Sequence, residues 1–191
     1  YLDSWHLENT GQSNHATNGG TAGMDINFTA VDLSSVNGSG VKVAVSDNGM
    51  EIDHPDLSAN YDATGSKDFT STPPYDGDPS EEDRSLISTH GTAVTGIIAA
   101  VADNSIGGLG VAPSAQFGGF NYLNTTVTPS ADIFQYQMTG PFDVFNYSYG
   151  YLPCLYYPVG TRTEYQLYKT VFQDGVNTLR GGLGANYVKA A

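Results

Sequence analysis

Residues 41–57 read VKVAVSDNGMEIDHPDL. The opening VKVAVS is a short run rich in small and β-branched residues, which is typical of a buried strand. Asn48 and Gly49 are turn formers, so they place Asp47 directly at the end of that strand. In open α/β sheets, ligands gather at the carboxyl ends of the strands. Asp47 is therefore the first candidate for a functional side chain.

The second informative stretch is STHGTAVTGIIAAVADNSIGG, residues 88–108. Apolar residues recur there at helical spacing, at Val94, Ile97, Ile98 and Val101. Small residues that would let a helix lie close against a sheet are Gly91, Ala93, Gly96, Ala99 and Ala100. The pattern predicts a helix over residues 91–101, with His90 at its first turn and facing the same edge as Asp47.

A carboxylate and an imidazole placed in this way suit acid–base chemistry. The aspartate accepts the Nδ1 proton of the histidine, and Nε2 then takes the proton of a nucleophile. Each residue taken alone also fits a purely structural role, because aspartates at strand ends commonly cap turns.

Strands and helices alternate along the rest of the chain. Further strands are predicted over residues 116–123, 142–148 and 185–191, the last as the end of a buried strand. Helices are predicted from Pro129 and Ser130 to about Gly140, and over residues 163–180. Residues 58–88 are polar and proline-containing, which indicates a long surface excursion. The alternation favours an α/β fold with a mainly parallel sheet.

Composition excludes some classes of function. Twenty acidic side chains against seven basic ones give a formal net charge of -13, so the basic footprint of a nucleic-acid-binding protein is absent. The acidic excess fits either solubility in a harsh or salty medium or oxygen ligands for hard cations. No apolar run reaches the roughly 18 residues of a membrane span. Cys154 is the only cysteine, so the chain forms no internal disulfide.

Both ends of the sequence look cut. The first residues, YLDSWHLENTGQ, lack the basic-then-apolar order of a signal peptide, and the last, NYVKAA, read as part of a strand. We therefore expect these residues to be an internal piece of a longer protein.

Several motifs together resemble one known family. The segments around Asp47 and His90 resemble the aspartate and histidine signatures of subtilisin-like serine proteases. The segments WHLENTG, HPDLSANYD, FDVFNYSYG and LRGGLGANYVKAA resemble the kexin/furin-like branch, in the same order. The resemblance implies a three-layer subtilisin-like α/β fold, incomplete in this chain, with residues 1–191 forming the N-terminal part of a catalytic domain. It also implies a secreted, periplasmic or extracellular serine endopeptidase with a propeptide and C-terminal domains.

The resemblance assigns roles to particular residues. Asp47 would orient His90, and His90 would act as general base and then general acid. Ser148, Tyr149 and Gly150 look like the family's substrate-binding strand, which pairs with the peptide by β-augmentation; the alternative is a plain core strand. The family's oxyanion-hole asparagine and catalytic serine would follow Ala191, so we expect these 191 residues alone not to hydrolyse peptides.

Calcium is the cofactor that the resemblance implies. The first site would use the carboxylate of Asp56, the side chain of Asn104, and the backbone carbonyls of Val101, Ile106 and Gly108. A turn-capping role is the alternative for Asp56. A tentative second site would use Asp68, Asp76 and Asp78, whose alternative role is that of a solvated acidic loop.

The sequence departs from the kexin/furin pattern in the residues that receive paired basic side chains. Asn48 replaces an acid, Ile87 and Ser88 replace acid-bearing residues, and the run YLPCLYYP at 151–158 is apolar. We therefore predict that dibasic cleavage is not the specificity, and that aromatic or aliphatic side chains are preferred. The rival function is a catalytically inactive module with the same fold that acts in calcium-dependent binding or structure.

Overall fold

The computed structural model describes residues 3–14, 17–80, 89–124, 131–150 and 163–190. At its centre lies a five-stranded sheet in the order β2-β3-β1-β4-β5, and every neighbouring pair of strands is parallel. The strands are β1 (Lys42–Asp47), β2 (Lys67–Asp68), β3 (Gln116–Asn121), β4 (Val144–Tyr147) and β5 (Asn186–Lys189). The helices are α1 (His90–Ala99), α2 (Ala131–Thr139) and α3 (Thr163–Gly182), with 3-10 turns at Phe28–Ala30 and Ser58–Asn60. The predicted α/β fold with a parallel sheet is confirmed.

Strand β1 lies at the centre of the sheet, and all six of its residues are buried. Its side chains alternate between two apolar clusters, so that Ala44 packs on one face of the sheet and Val45 on the other. The cluster around Val45 includes Ala99 of α1, while the cluster around Ala44 includes Ile133 of α2 and Val171 of α3. The molecule therefore has three layers, with α1 on one side of the sheet and α2 and α3 on the other.

Helix α1 packs on the sheet through small residues, as its sequence predicts. Its buried residues are Gly91, Thr95 and Ala99, at four-residue spacing, whereas Ile97 is 52% exposed. The residues that face the sheet are small because the helix approaches the sheet closely, and large side chains there would hold it away. The predicted role of small residues is right for Gly91, Ala99 and Ala100, and the partly buried Val94 and Ile98 pack against the same cluster as Ala99.

The polar segment 58–88 contributes to the sheet, which its composition did not predict. Strand β2 lies within it, and Phe69 directly after β2 is completely buried. The Phe69 ring stacks on Phe120 of β3 with the centroids 5.7 Å apart. Tyr61 also packs against Phe117, with the centroids 5.6 Å apart, so two aromatic rings hold the start of this segment against the core.

The end of α3 and strand β5 also refine the prediction. Regular helix ends before Leu179, whose ψ is 162°, and the next two residues, Arg180 and Gly181, have positive φ values of 55° and 67°. Strand β5 was predicted to be buried, and that is wrong for the described residues: β5 lies at the edge of the sheet, and Val188 is 52% exposed.

Some predictions fall on residues outside the described part of the chain. They concern the start of the α2 helix at Pro129 and Ser130, the residues Ile87 and Ser88, and the insertion at 151–158 with Cys154. Among the described residues, none of the helices has both the length and the apolar character needed to cross a bilayer.

Candidate active site

Asp47 and His90 meet at the carboxyl edge of the sheet. Asp47 is the last residue of β1 and its side chain is fully buried, while His90 opens α1 and its side chain is 53% exposed. The His90 Nδ1 lies 2.8 Å from one carboxylate oxygen of Asp47 and 3.0 Å from the other. An imidazole that bonds a carboxylate through Nδ1 has its Nε2 available for proton transfer. The geometry therefore places an imidazole and the carboxylate that hydrogen-bonds to it at one edge of the sheet.

Asn48 and Gly91 fix the relative positions of these two residues. The backbone N–H of Asn48 donates to Asp47 Oδ1 at 2.8 Å, and the Asn48 side-chain oxygen accepts from the N–H of Gly91 at 2.9 Å. Gly91 has no room for a side chain, because a Cβ there would lie 1.9 Å from the carbonyl oxygen of Gly49. The first turn of α1 is thus held directly against the loop that follows β1.

The backbone after β4 continues toward the same edge. The carbonyl of Tyr147 accepts a hydrogen bond from the N–H of Ala190 at 3.0 Å, and the carbonyl of Tyr149 faces the Lys189 ammonium at 3.4 Å. Both carbonyls therefore point toward β5. Because successive residues of an extended chain point their backbone groups to opposite sides, Ser148 and Gly150 would present theirs toward the β1 side if the segment continues β4. That is the side on which Asp47 ends β1.

Two of the tyrosines of this region have different roles. Tyr147 is 3% exposed, and its hydroxyl donates to the backbone carbonyl of Gln137 on α2. Tyr149 is half-buried and packs its ring against Tyr122, with the centroids 5.8 Å apart. Tyr147 is therefore a core residue, whereas Tyr149 borders the candidate site.

A buried polar pair joins β1 to α2. Ser46, next to Asp47, donates to the side-chain oxygen of Gln137, and both residues are 1% exposed. The Tyr149 hydroxyl lies 3.4 Å from the same oxygen. Gln137 thereby connects the strand that carries Asp47 with the segment that carries Tyr149.

The residues of the first predicted calcium site lie together around Asp56. Asp56 is 4% exposed; one of its carboxylate oxygens accepts from the Asn104 side chain at 2.7 Å and the other from the N–H of Gly108 at 2.9 Å. The loop curls tightly, with positive φ at Asp103, Ser105 and Gly107. A Cβ on Gly107 would lie 2.2 Å from the Asp56 carboxylate, so glycine is required there.

This donor set fits a hard cation in its chemistry. It offers one buried carboxylate, one amide side chain and the carbonyls of a bent loop, and calcium prefers such oxygen ligands. The hydrogen bonds that the Asp56 oxygens accept from N–H groups are the contacts that a bound cation would replace. An open cavity of about 230 Å³ adjoins Asp56 and Gly108.

In the second predicted calcium site, Asp76 and Asp78 are exposed and Asp68 is partly buried, and their carboxylates bond to nearby backbone. Asp68 accepts from the N–H of Thr70, Asp76 from that of Asp78, and Asp78 from that of Ser80. Over the ranges that the structure describes, no three His, Cys, Asp or Glu side chains are grouped as a metal site would require. The backbone N–H of Asp68 does donate to the carbonyl of Asp76 at 3.1 Å, but the three carboxylates of Asp68, Asp76 and Asp78 do not form such a group.

The sequence reasoning missed Asn48 and Lys189 as residues of this region. Asn48 was interpreted as a turn former and a replaced acid, because its hydrogen-bond partner Gly91 lies 43 positions away and leaves no local pattern. Lys189 was interpreted only as part of a strand. The one signal for Lys189 was a charged residue inside an otherwise apolar strand, close to the predicted substrate segment in the same family pattern.

The geometry defines a class of protein: a parallel α/β scaffold that carries a hydrogen-bonded Asp–His pair at the carboxyl edge of its sheet. The chain belongs to the Subtilase family, whose sequence model matches residues 38–188. Among curated proteins it is similar to neuroendocrine convertase 2 of Sus scrofa, with 33% identity over the whole chain and 29% of that protein. It is also similar to the Aeromonas extracellular serine protease of Aeromonas sobria, with 47% identity over 63% of this chain and 18% of that protein.

The solved structures agree. The serine protease of Aeromonas sobria in complex with the chaperone ORF2 has a TM-score of 0.81 and 35% identity, over 97% of this chain and 30% of that one. The same protease without the chaperone gives a TM-score of 0.80 and 36% identity over the same shares. The subtilase-like fold and the membership of a serine protease family that includes kexin-like proteins are therefore confirmed. The chain spans less than a third of the relatives that it matches.

Proposed function

We propose that this chain is part of a serine endopeptidase, in which Asp47 orients His90 and His90 transfers the protons. The observation that carries the proposal is the bond between His90 Nδ1 and the fully buried Asp47 carboxylate, at 2.8 Å. A buried carboxylate fixes the tautomer of the imidazole and stabilises the imidazolium that forms during the reaction.

The chemical steps follow from that pair. His90 Nε2 takes the proton of a serine hydroxyl as the serine oxygen bonds to the carbonyl carbon of the peptide. The imidazolium then gives the proton to the leaving amine as the C–N bond breaks. The serine and the oxyanion-hole asparagine are proposed to come from the longer protein. Water completes the cycle by the same route and releases the acyl group from the serine.

Peptide binding is proposed for the segment Ser148, Tyr149 and Gly150. If the segment continues β4, the backbone groups of Ser148 and Gly150 are directed toward the β1 side, so an extended peptide can pair with them as an added strand. This arrangement supports β-augmentation over the alternative of a closed core strand. It brings the peptide to the edge at which Asp47 and His90 lie.

Calcium is proposed as a structural cofactor at the Asp56 loop. Asp56, Asn104 and the carbonyls of Val101, Ile106 and Gly108 would hold it, and it would supply positive charge that stabilises the curled loop. The loop follows α1, which carries His90 at its other end. The chemistry at His90 involves no step through the metal. A second calcium site at Asp68, Asp76 and Asp78 stays a prediction, because their carboxylates are not grouped as the first site's donors are.

Location and partners are proposed by analogy. One relative is named as an extracellular protease, and a solved relative was crystallised with a chaperone. We infer that the full-length protein acts outside the cytoplasm and folds with the help of a propeptide or a chaperone. We also propose that its specificity is not dibasic, because the neutral Asn48 stands beside Asp47 where an acid would receive a basic side chain.

A serine-directed phosphonate probe on the full-length protein tests the proposal. Labelling of one serine and peptide hydrolysis are expected, with a loss on the order of 10⁶-fold in kcat for His90→Ala and about 10⁴-fold for Asp47→Asn. The matched control Asp53→Asn removes an exposed charge from the same segment and should retain activity. Absence of labelling and of hydrolysis in the wild-type protein would favour the non-catalytic module.

A further inference from the structure

Lys189 lies beside the segment that is proposed to bind substrate. It is the last residue of β5, and its register partner across the sheet is Tyr147 of β4. Because all the strands are parallel, the end of β5 lies at the same edge of the sheet as the end of β1, where Asp47 and His90 meet. The positive charge of Lys189 therefore lies at the edge of the sheet where the substrate is proposed to bind.

The contacts of Lys189 aim its ammonium group at Tyr149. Its Nζ lies 4.7 Å from the centroid of the Tyr149 ring and 3.4 Å from the Tyr149 carbonyl oxygen. The first is a cation–π contact and the second a long hydrogen bond, and together they hold the flexible lysine side chain against the segment. Desolvation lowers the pKa of Lys189, although the residue as a whole is exposed at the edge of the sheet.

We propose that Lys189 is a specificity-determining residue that favours a carboxylate, and disfavours lysine or arginine, at the substrate position beside Tyr149. The inference rests on the proposed peptidase function, because it assigns the substrate class of the same site. The inference goes beyond the loss of acidic residues. The site lacks carboxylates that would pair with a basic substrate side chain, and the Lys189 charge would also repel such a side chain.

The charge pattern of the described residues supports this preference. A lysine ammonium has three donors, and the Tyr149 carbonyl uses one, so others can reach a substrate carboxylate. Asp47, the carboxylate at the end of β1, is fully buried and bonded to His90. Asn48 next to it is neutral. A basic substrate side chain near Tyr149 would therefore meet the Lys189 charge, and like charges repel each other.

The test compares peptide cleavage by the full-length protein and its variants. Peptides carry Glu, Gln or Lys at each of the four positions before the scissile bond, and kcat/KM is measured for each. Lys189→Met removes the charge but keeps the side-chain length, Lys189→Glu reverses it, and Lys189→Arg conserves it. Lys67→Met is the matched control. Lys67 makes the same two kinds of contact, with the Tyr136 ring and the Tyr75 carbonyl, on β2, the strand at the opposite edge of the sheet from β5.

At one position, the wild-type protein should prefer Glu over Lys. Lys189→Met should lower that ratio by about tenfold, as expected for one partly screened charge pair. Lys189→Glu should invert it, and Lys189→Arg and Lys67→Met should retain it. An unchanged ratio at all four positions in active Lys189→Met and Lys189→Glu proteins would overturn the inference.

A binding measurement separates this inference from the proposed function. The same peptides are titrated against the His90→Ala protein and against His90→Ala combined with each Lys189 variant. If the wild-type protein cleaves nothing but the Glu/Lys binding ratio still depends on Lys189, the peptidase function fails and the selectivity holds. A binding ratio that is indifferent to Lys189 refutes the selectivity whatever the activity.

Discussion

The backbone N–H of Gly91 donates a 2.9 Å hydrogen bond to the side-chain oxygen of Asn48, and this bond joins the first turn of α1 to the end of β1. Asp47 directly precedes Asn48 in the chain, and His90 directly precedes Gly91. The distance between carboxylate and imidazole is therefore set by a backbone-to-side-chain bond outside the pair itself.

Replacing Asn48 by leucine should impair both stability and turnover. The substitution leaves the Gly91 N–H without its acceptor, which costs about 1 kcal/mol for a lost helix cap. It also frees the first turn that carries His90, so we expect kcat to fall by about tenfold or more, with a smaller change in KM. Asn48→Asp keeps an acceptor oxygen and should preserve the joint. Thermal melting and steady-state kinetics measure the two effects; a stability loss with kcat unchanged would limit Asn48 to a structural role.

Gly91→Ala and Gly96→Ala should have opposite effects in the same helix. A Cβ at Gly91 would lie 1.9 Å from the Gly49 carbonyl oxygen, whereas at Gly96 no atom lies within 4 Å of it. We expect Gly91→Ala to cost about 1–3 kcal/mol in the free energy of unfolding through overpacking. Gly96→Ala should stabilise by about 0.5–1 kcal/mol through reduced backbone freedom. Denaturant titration measures both, and equal effects at the two positions would contradict the close approach of α1 to β1.

Calcium should raise the thermal midpoint through Asp56. At a calcium concentration about 100-fold above Kd, binding to the folded state adds about 2.7 kcal/mol. Asp56→Asn should abolish the difference between calcium and chelator, because it removes the only carboxylate of the proposed first site. Asp53→Asn, an exposed neighbour, is the control and should keep that difference. A calcium response that survives Asp56→Asn would move the site elsewhere.

Asp62 should make stability depend on acid pH. The hydrogen bond from the Lys42 ammonium, followed by that from the Thr64 N–H, lowers the pKa of Asp62 from 3.8 to about 2. Because the pKa is lower in the folded state, its contribution is present above pH 3.8 and is lost as the pH falls toward 2. The pair is partly exposed, so Asp62→Asn should cost about 1 kcal/mol or less at pH 7.

The difference between wild-type and Asp62→Asn proteins should shrink steadily below pH 3.8, the ordinary pKa of the side chain. Urea unfolding of both proteins between neutral pH and the acid limit of folding measures it. A difference that stays constant over this range would mean that the Lys42–Asp62 ion pair does not set the titration of Asp62.

The sequence predicted most elements because their signals are local. The runs that form β1, β3 and β4 are short, apolar and bounded by turn formers, and their predicted ends lie within two residues of the observed ones. The Asp47–His90 juxtaposition followed from strand-end and helix-start placement. It needed only the general rule that functional side chains collect at the carboxyl edge of a parallel sheet.

The remaining features depend on distant contacts and were not predictable. The hydrogen bond between Ser46 and Gln137 joins residues 91 positions apart, and neither position looks unusual in its own segment. Phe69 is buried only because β2 pairs with β3 and brings it onto Phe120. Thr95 of α1 is completely buried although it is polar, because it lies between Gly91 and Ala99 on the face that approaches the sheet.

The strand order has a kinetic consequence. Strand β1 forms its pairs with β3 and β4, whose residues follow it at long range; the N–H of Lys42, for example, donates to Asp143, which lies 101 positions later. Strand β1 therefore cannot pair with β3 or β4 until those distant parts of the chain have folded back onto it. Sheets built from such distant contacts fold slowly and leave apolar strands open to aggregation during the delay. The rate of folding, more than the stability of the product, is where an assisting partner has the most to contribute.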